Sequence, residues 1–231
     1  MKILSLKGKN LASLEGEFAI DFRAEPLVSS GIFAITGNTG AGKSTLLDAI
    51  CLALFDDAPR THKAGENISV VDVQDKTINQ KDSRSILRRG ATDGYAQLEF
   101  VALDGKSYCS SWSVKRARGK AEGALQPVEM RLENLSDRRE EQGRKTEILA
   151  RIVELIGLNF EQFTRAVLLA QGDFATFLKA KQGEKAELLE KLTGTQVYSQ
   201  ISTRIYEKTQ EAKQELQTLA ERMKDIKLLS E

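Results

Sequence analysis

The feature that most constrains this chain is a glycine-rich octapeptide that lies between an apolar run and a helix-like run. Residues 37–44 read GNTGAGKS and fill the pattern G-x-x-x-x-G-K-[ST] completely. The glycines allow successive backbone N–H groups to point inward around phosphates, Lys43 can reach the β and γ oxygens, and the Ser44 hydroxyl can ligate Mg²⁺. The motif therefore predicts a binding site for a nucleoside triphosphate.

The flanks of this motif predict a strand, a loop and a helix in that order. Residues 31–35 (GIFAI) are apolar and indicate a buried strand of the parallel-sheet kind. Residues 44–55 are apolar at nearly every position and contain no helix breaker, so we expect a core helix whose positive N-terminal end faces the anion. A plain turn between a strand and a helix would explain neither Lys43 nor Ser44.

The charge and apolar patterns limit the classes of partner. The 34 basic and 33 acidic residues nearly cancel, so any polyanion site must be a local patch. No run approaches the roughly 18 apolar residues of a membrane span, and the N-terminus shows no export signal. We therefore expect a soluble cytoplasmic protein that does not bind membranes. Cys51 and Cys109 lack a C-x-x-C partner and are interpreted as core thiols.

The rest of the first 160 residues predicts antiparallel strands and one further helix. The predicted elements are strands at 3–6, 18–22, 95–103, 107–115 and 128–135, and a helix from residue 146 that stops at Gly157. The first two strands resemble a hairpin, and an Asp-Gly pair at 104–105 is a strong turn signal between the next two. Residues 56–85 are polar and indicate a long connection.

The last stretch of the chain predicts a coiled coil. Residues 183–231 contain no proline and are dense in Glu, Lys, Gln and Leu. Residues spaced alternately by four and three form the predicted seam: Tyr198, Ser202, Ile205, Thr209, Ala212, Leu216, Leu219, Met223 and Ile226. Such spacing is typical of a heptad seam, and an amphipathic surface helix is the alternative. The seam runs on without a stop signal, so we expect the chain to end inside a longer coiled coil.

The sequence offers no convincing acidic partner for the glycine-rich segment 37–44, the phosphate loop. Hydrolysis also needs an acidic residue at a strand end to hold Mg²⁺ and a group that orients the attacking water. The candidates at 70–72 and 19–21 are too short or too polar for buried central strands. Gln171 lies in a break before Asp173 and could ligate the metal and sense the γ-phosphate, with a helix cap as the alternative role.

Three blocks of the sequence resemble the N-terminal ATPase segment of the SbcC family of SMC-like, ABC-type ATPases. The blocks are 31–55 with 58–60, 163–178, and 187–195, and they occur in the family order. The resemblance implies an α/β P-loop fold, namely an ABC-ATPase-like N-terminal lobe with a mixed sheet and added antiparallel strands. It also implies that residues 1–182 form the N-terminal half of the head and that 183–231 form the root of a long coiled coil.

The same resemblance implies an ATP-binding subunit of a complex that acts as a DNA exonuclease and hairpin endonuclease in repair, replication and recombination. The implied cofactors are ATP and Mg²⁺, and the missing C-terminal half would supply the signature motif, an Mg²⁺-binding Asp and the catalytic Glu. The implied partners are the SbcD nuclease subunit, the C-terminal half of the same protein, a second head, and double-stranded DNA without sequence preference. The implied setting is cytoplasmic and nucleoid-associated, and a zinc hook would lie outside this chain.

Individual residues carry over from the family motifs. The implied nucleotide contacts are Thr39, Gly40, Ala41, Gly42, Lys43, Ser44 and Thr45 of the loop, Ser13 of the first turn, Arg88 and Arg89 near the adenine, and Gln171. The implied Mg²⁺ ligands are Ser44 and Gln171. Ala12 stands where relatives with an Asn-Phe-Arg-Ser turn place an arginine.

A local basic cluster is the candidate DNA contact. Lys115, Arg116, Arg118 and Lys120 lie at a predicted hairpin end beside Trp112. Such a cluster can neutralise phosphates without reading sequence, and a solvated hairpin tip is the alternative.

Two other function classes remain open. A P-loop kinase for a small metabolite would need acceptor-binding and lid arginines within a compact fold, and the terminal heptads argue against it. A purely structural coiled-coil protein is disfavoured by the intact phosphate loop.

Overall fold

The computed structural model describes residues 1–62, 68–73, 77–168, 183 and 196–224. The chain divides into two units, Met1–Ala175 and Thr176–Glu231. The strands are β1 (Lys2–Leu11), β2 (Leu14–Asp21), β3 (Ser69–Val71), β4 (Thr77–Asn79), β5 (Asp93–Val101), β6 (Ser107–Lys115), β7 (Glu129–Asn134) and β8 (Arg139–Glu140). The α-helices are α1 (Lys43–Phe55), α2 (Pro59–His62), α3 (Lys145–Ile156), α4 (Phe160–Phe163) and α5 (Gln196–Lys224).

The first unit is built on a six-stranded sheet in the order β2-β1-β5-β6-β7-β8, and every neighbouring pair is antiparallel. Apolar side chains alternate along β5 and β7, so one face of the sheet is buried. The helix α1 packs against β5 and β6, and α3 packs against α1 and β7. The sheet thus supports the helix that follows the phosphate loop.

The core explains why α1 is apolar at nearly every position. Eight of its side chains are buried, and the hydroxyl of Ser110 in β6 donates to the carbonyl of Ala53. Both cysteines are buried and free, which confirms that they are core thiols. A helix that is apolar on all sides needs such an enclosed place.

The predicted hairpins and the helix at 146 are confirmed. β1 pairs with β2 and β5 pairs with β6. Gly157 ends α3 in a left-handed conformation with φ 75°, which glycine adopts without steric cost. The long connection at 56–85 contains α2, a small β3–β4 hairpin and a 3₁₀ turn at Ser83–Ile86.

The predicted buried strand at 31–35 is wrong for this chain. The segment is irregular, Ile32 is 94% exposed, and Phe33 and Ile35 are about half exposed. The ring of Phe33 contacts that of Phe22 at a centroid distance of 5.8 Å. A parallel strand needs a neighbour that runs alongside it, whereas all strand pairs in the described part of the chain are antiparallel. The expected mixed sheet is therefore antiparallel where it is described.

The second unit contains α5, a helix of 29 residues. Large apolar side chains along it are exposed: Tyr198, Ile201, Ile205, Tyr206, Leu216, Leu219 and Met223. Most of them belong to the predicted seam, of which Ile226 lies outside the described residues. The helix is confirmed, and its pairing in a coiled coil stays a prediction. None of the helices described is both long and apolar enough to cross a membrane.

Candidate nucleotide-binding site

Two glycines of the loop have left-handed backbone conformations. Gly40 and Gly42 have φ values of 86° and 92°, a region that other residues adopt at a cost. Gly42 caps α1, and a Cβ there would overlap with the side chain of Leu14. A side chain at Gly42 would therefore be both strained and blocked.

The charges at the start of α1 favour an anion. The ammonium of Lys43 donates to the carbonyls of Gly37 (2.6 Å) and Asn38 (2.8 Å), which places the charge against the loop backbone. Ser44 is exposed in the first turn, and this turn contains no acidic residue. Free N–H groups and the helix dipole make such a terminus attractive to phosphate. These residues fit a triphosphate with Mg²⁺.

The turn between β1 and β2 packs against the start of α1, and a contact between Ser13 and the nucleotide stays a prediction. The hydroxyl oxygens of Ser13 and Thr45 are 3.5 Å apart. Thr45 is buried, so its hydroxyl lies beneath the loop rather than at its surface. Asn10 at the end of β1 and Ala12 in this turn have left-handed backbones with φ 52° and 46°.

Arg88 braces the same turn. Its guanidinium donates to the carbonyl of Ser13 (3.1 Å) and to the carboxylate of Glu15 (2.9 Å). These hydrogen bonds attach the guanidinium of Arg88 to the turn, and they stabilise the conformation of the turn. Arg89 is exposed and lines an open pocket together with Ala12, Ser85, Leu87 and Arg88. A contact between Arg89 and the nucleotide base stays a prediction.

An ion pair beneath the loop was not predicted from the sequence. Asp48 of α1 is buried and lies 2.6 Å from the guanidinium of Arg60 in α2. The same guanidinium donates to the hydroxyl of Thr45 at 3.2 Å. Burial raises the pKa of Asp48, and Arg60 opposes this rise. A single acidic residue within the apolar run 44–55 was the signal that could have revealed it.

A second polar junction lies at the other end of α1. The carboxylate of Asp56 accepts from the indole N–H of Trp112 (2.6 Å), the hydroxyl of Ser83 (2.6 Å) and the ammonium of Lys145 (2.5 Å). Trp112 is completely buried. One carboxylate thus joins the end of α1 to β6, to the 3₁₀ turn and to α3.

The structure corrects the predicted DNA cluster at Arg116. Arg116 is 5% exposed and forms an ion pair with Asp72 at 2.6 Å, so it is not available to a phosphate backbone. The planar guanidinium of arginine fits a carboxylate with two parallel hydrogen bonds and is weakly hydrated, so arginine suits a buried ion pair. Trp112 belongs to the core, as the junction above shows. Lys115, Arg118 and Lys120 are exposed.

The predicted metal site is described only in part. Gln171 lies outside the described residues. Among the residues that are described, no group of three or more His, Cys, Asp or Glu side chains could hold a metal ion. Ser44 is therefore the one predicted ligand whose place is known.

Comparison with known families decides the classification. Residues 5–228 match the family model described as an AAA domain. The chain belongs to the AAA domain family. The α/β P-loop ATPase class predicted from the sequence is thereby confirmed.

The resemblance to SbcC proteins is also confirmed. The chain is 46% identical to the SbcC subunit of the SbcCD nuclease of Rhodobacter capsulatus over 231 residues, which are 100% of this chain and 19% of that protein. The protein of the same name from Pseudomonas aeruginosa is 46% identical over 232 residues, with 100% and 19% covered. That of Bacillus subtilis is 31% identical over 200 residues, with 86% and 16% covered. The chain thus spans about a fifth of the length of the first two relatives and matches their N-terminal part.

Proposed function

We propose that this AAA domain binds ATP with Mg²⁺ and forms the N-terminal half of an ATPase head in a nuclease complex of the SbcCD kind. The observation that carries the proposal is the position of Lys43, whose ammonium lies on the loop carbonyls at the N-terminus of α1. Lys43, Ser44 and the loop N–H groups would hold the phosphates, with Gln171 as a second Mg²⁺ ligand. Bound Mg²⁺ would neutralise charge on the phosphate oxygens.

Two features support a head that is completed by a second segment. The apolar residues Ile32, Phe33 and Ile35 are exposed directly before the loop, where a solvated position is unfavourable. The relatives are about five times longer than this chain, which leaves room for the missing catalytic carboxylates. The partners of this head would be its own C-terminal half, a second head, the SbcD nuclease subunit and duplex DNA, and ATP-driven dimerisation would control the nuclease in the cytoplasm.

The chain alone should bind ATP and hydrolyse it very slowly, since the carboxylates that orient water are not in it. Adding the C-terminal ATPase segment of the same protein should restore steady-state hydrolysis. The measurement is phosphate release by the chain, by the segment and by their mixture. A matched mixture that contains the Lys43→Ala chain serves as the control.

Brisk ATP turnover by the chain alone, unchanged in Lys43→Ala, would contradict this assignment. For a small-metabolite kinase we would expect the chain alone to transfer the γ-phosphate to its acceptor, because that reaction needs no second segment. No described residue favours the kinase over the ATPase head.

The three exposed cations at the hairpin end are the proposed DNA contact. Changing Lys115, Arg118 and Lys120 together to Ala should weaken duplex binding by the assembled ATPase and leave ATP affinity unchanged. The slope of log affinity against log salt should become shallower by about 0.9 for each phosphate that the protein no longer neutralises. The measurement is duplex affinity across a salt series.

A matched triple variant tests whether this effect is local. Lys7, Arg138 and Arg139 are also exposed cations, so their joint change to Ala removes the same net charge elsewhere. We expect the salt slope of this control to equal that of the wild type. Equal salt slopes for the wild type and the variant without Lys115, Arg118 and Lys120 would instead show that these cations are solvated and do not contact DNA.

A further inference from the structure

The contact between α2 and the start of α1 has no role in the function described so far. One nitrogen of Arg60 lies 2.6 Å from the carboxylate of Asp48 and 3.2 Å from the hydroxyl of Thr45. Thr45 and Asp48 are three residues apart and therefore share one face of α1. Thr45 directly follows Ser44, so this face adjoins the residues that would hold Mg²⁺ and the phosphates.

The environment of Asp48 makes this contact important. Its side chain is only 3% exposed, and Oδ2, the oxygen that lies 2.6 Å from Arg60, has no partner with hydrogen-bond geometry, so the attraction between the two charges is what compensates it. Among the residues that the structure describes, Arg60 is the one cation within ion-pair distance of it. A buried carboxylate that loses its partner keeps an uncompensated charge in a medium that screens charges poorly.

An uncompensated carboxylate at this place would oppose a triphosphate. Asp48 lies little more than one helical turn beyond Lys43 and Ser44. Because a nucleotide carries more negative charge with each phosphate, the repulsion would be larger for ATP than for ADP. Arg60 is half-exposed and belongs to a different helix, so it lies outside the glycine-rich motif.

We propose that Arg60 is a positioning residue for nucleotide binding, which neutralises the buried Asp48 carboxylate and fixes the Thr45 hydroxyl beneath the phosphate loop. The proposal rests on the binding of ATP by this chain. Arg60 acts through Asp48 and Thr45, and its own contact with phosphate is not part of the proposal.

The test compares Arg60→Ala with the double variant Arg60→Ala/Asp48→Asn in the full 231-residue chain. Calorimetry with Mg²⁺ gives the affinities for ADP and for a non-hydrolysable ATP analogue. We expect Arg60→Ala to weaken binding of the ATP analogue roughly tenfold and binding of ADP about threefold, because the repulsion between Asp48 and the nucleotide grows with phosphate charge. The double variant should recover most of the loss, since Asn removes the charge.

The matched control is Arg84→Ala. Arg84 also lies 2.6 Å from a carboxylate, that of Asp82, and it has no contact with the loop among the bonds described. Its removal should leave both affinities unchanged. Equal losses for the ATP analogue and ADP in Arg60→Ala, or no recovery in the double variant, would overturn the proposal.

A second pair of variants covers the case in which Arg60→Ala does not fold. Arg60→Lys keeps the charge, so it should preserve the ratio of ATP to ADP affinity, whereas Arg60→Gln should lower that ratio. Identical ratios in the two variants would contradict the proposal. If the wild-type chain binds neither nucleotide, the proposed function itself fails. If the wild type binds and Arg60→Ala is unaffected, only this inference fails.

Discussion

Lys43→Ala should abolish measurable binding of ATP by this chain. The ammonium of Lys43 already sits on the carbonyls of Gly37 and Asn38, where phosphate oxygens would compete for it. Hydrogen bonds to charged groups contribute about 1.5 to 3 kcal/mol each, so the loss of two or three of them weakens binding roughly 100-fold or more. Calorimetry with a non-hydrolysable analogue and Mg²⁺ measures the loss.

Lys7→Ala is the matched control for this experiment, because Lys7 is an exposed lysine of β1. It removes the same charge and should leave the affinity unchanged. An affinity of Lys43→Ala within a few-fold of the wild type would show that the glycine-rich loop does not hold phosphate in this chain.

Asp56→Ala should lower the free energy of unfolding by about 3 kcal/mol. The change leaves the buried indole N–H of Trp112 without an acceptor, and a buried unsatisfied donor costs about 1 to 3 kcal/mol. The backbone of Asp56 is left-handed with φ 52°, which Ala adopts less readily than Asp. The ammonium of Lys145 is half-exposed and regains water, so its share of the loss is small. Urea unfolding measures the difference.

Two further variants separate the causes of this loss. Asp56→Asn keeps an acceptor and tolerates the left-handed backbone, so we expect it to lose about 1 kcal/mol. Glu129→Ala breaks an ion pair with Arg131 that is exposed and screened by solvent, so it should cost much less than Asp56→Ala. If Asp56→Ala costs no more than Glu129→Ala, the junction at Asp56 does not stabilise the fold.

The sequence was most informative where neighbouring residues determine the structure. The phosphate loop, the β5–β6 turn and the end of α3 at Gly157 depend on interactions within a few residues, so their patterns could be recognised directly. The same holds for α1, whose apolar sequence requires a buried place. In each of these cases, local backbone preference and long-range packing favour the same structure.

The predictions that failed depend on distant partners. Four cations within six residues suggested one basic surface, but the partner of Arg116 is Asp72, which lies 44 residues earlier. Similarly, residues 31–35 have the composition of a central strand. A segment forms a strand only when a neighbouring strand pairs with it, and composition does not reveal that neighbour. The Asp48–Arg60 pair joins two helices, so the spacing of residues within either helix could not predict it.

The hydrogen bond between Trp112 and Asp56 also makes the fluorescence of Trp112 an internal probe of α1. Trp112 is the only tryptophan in the sequence, so its fluorescence comes from one place. Its indole is bonded to the residue that ends α1, about 20 Å along the helix axis from Lys43. A ligand that moves α1 would alter the polarity around this indole, and its emission would shift without any added dye. The intrinsic fluorescence of this chain therefore reports on the far end of the helix that holds the phosphates.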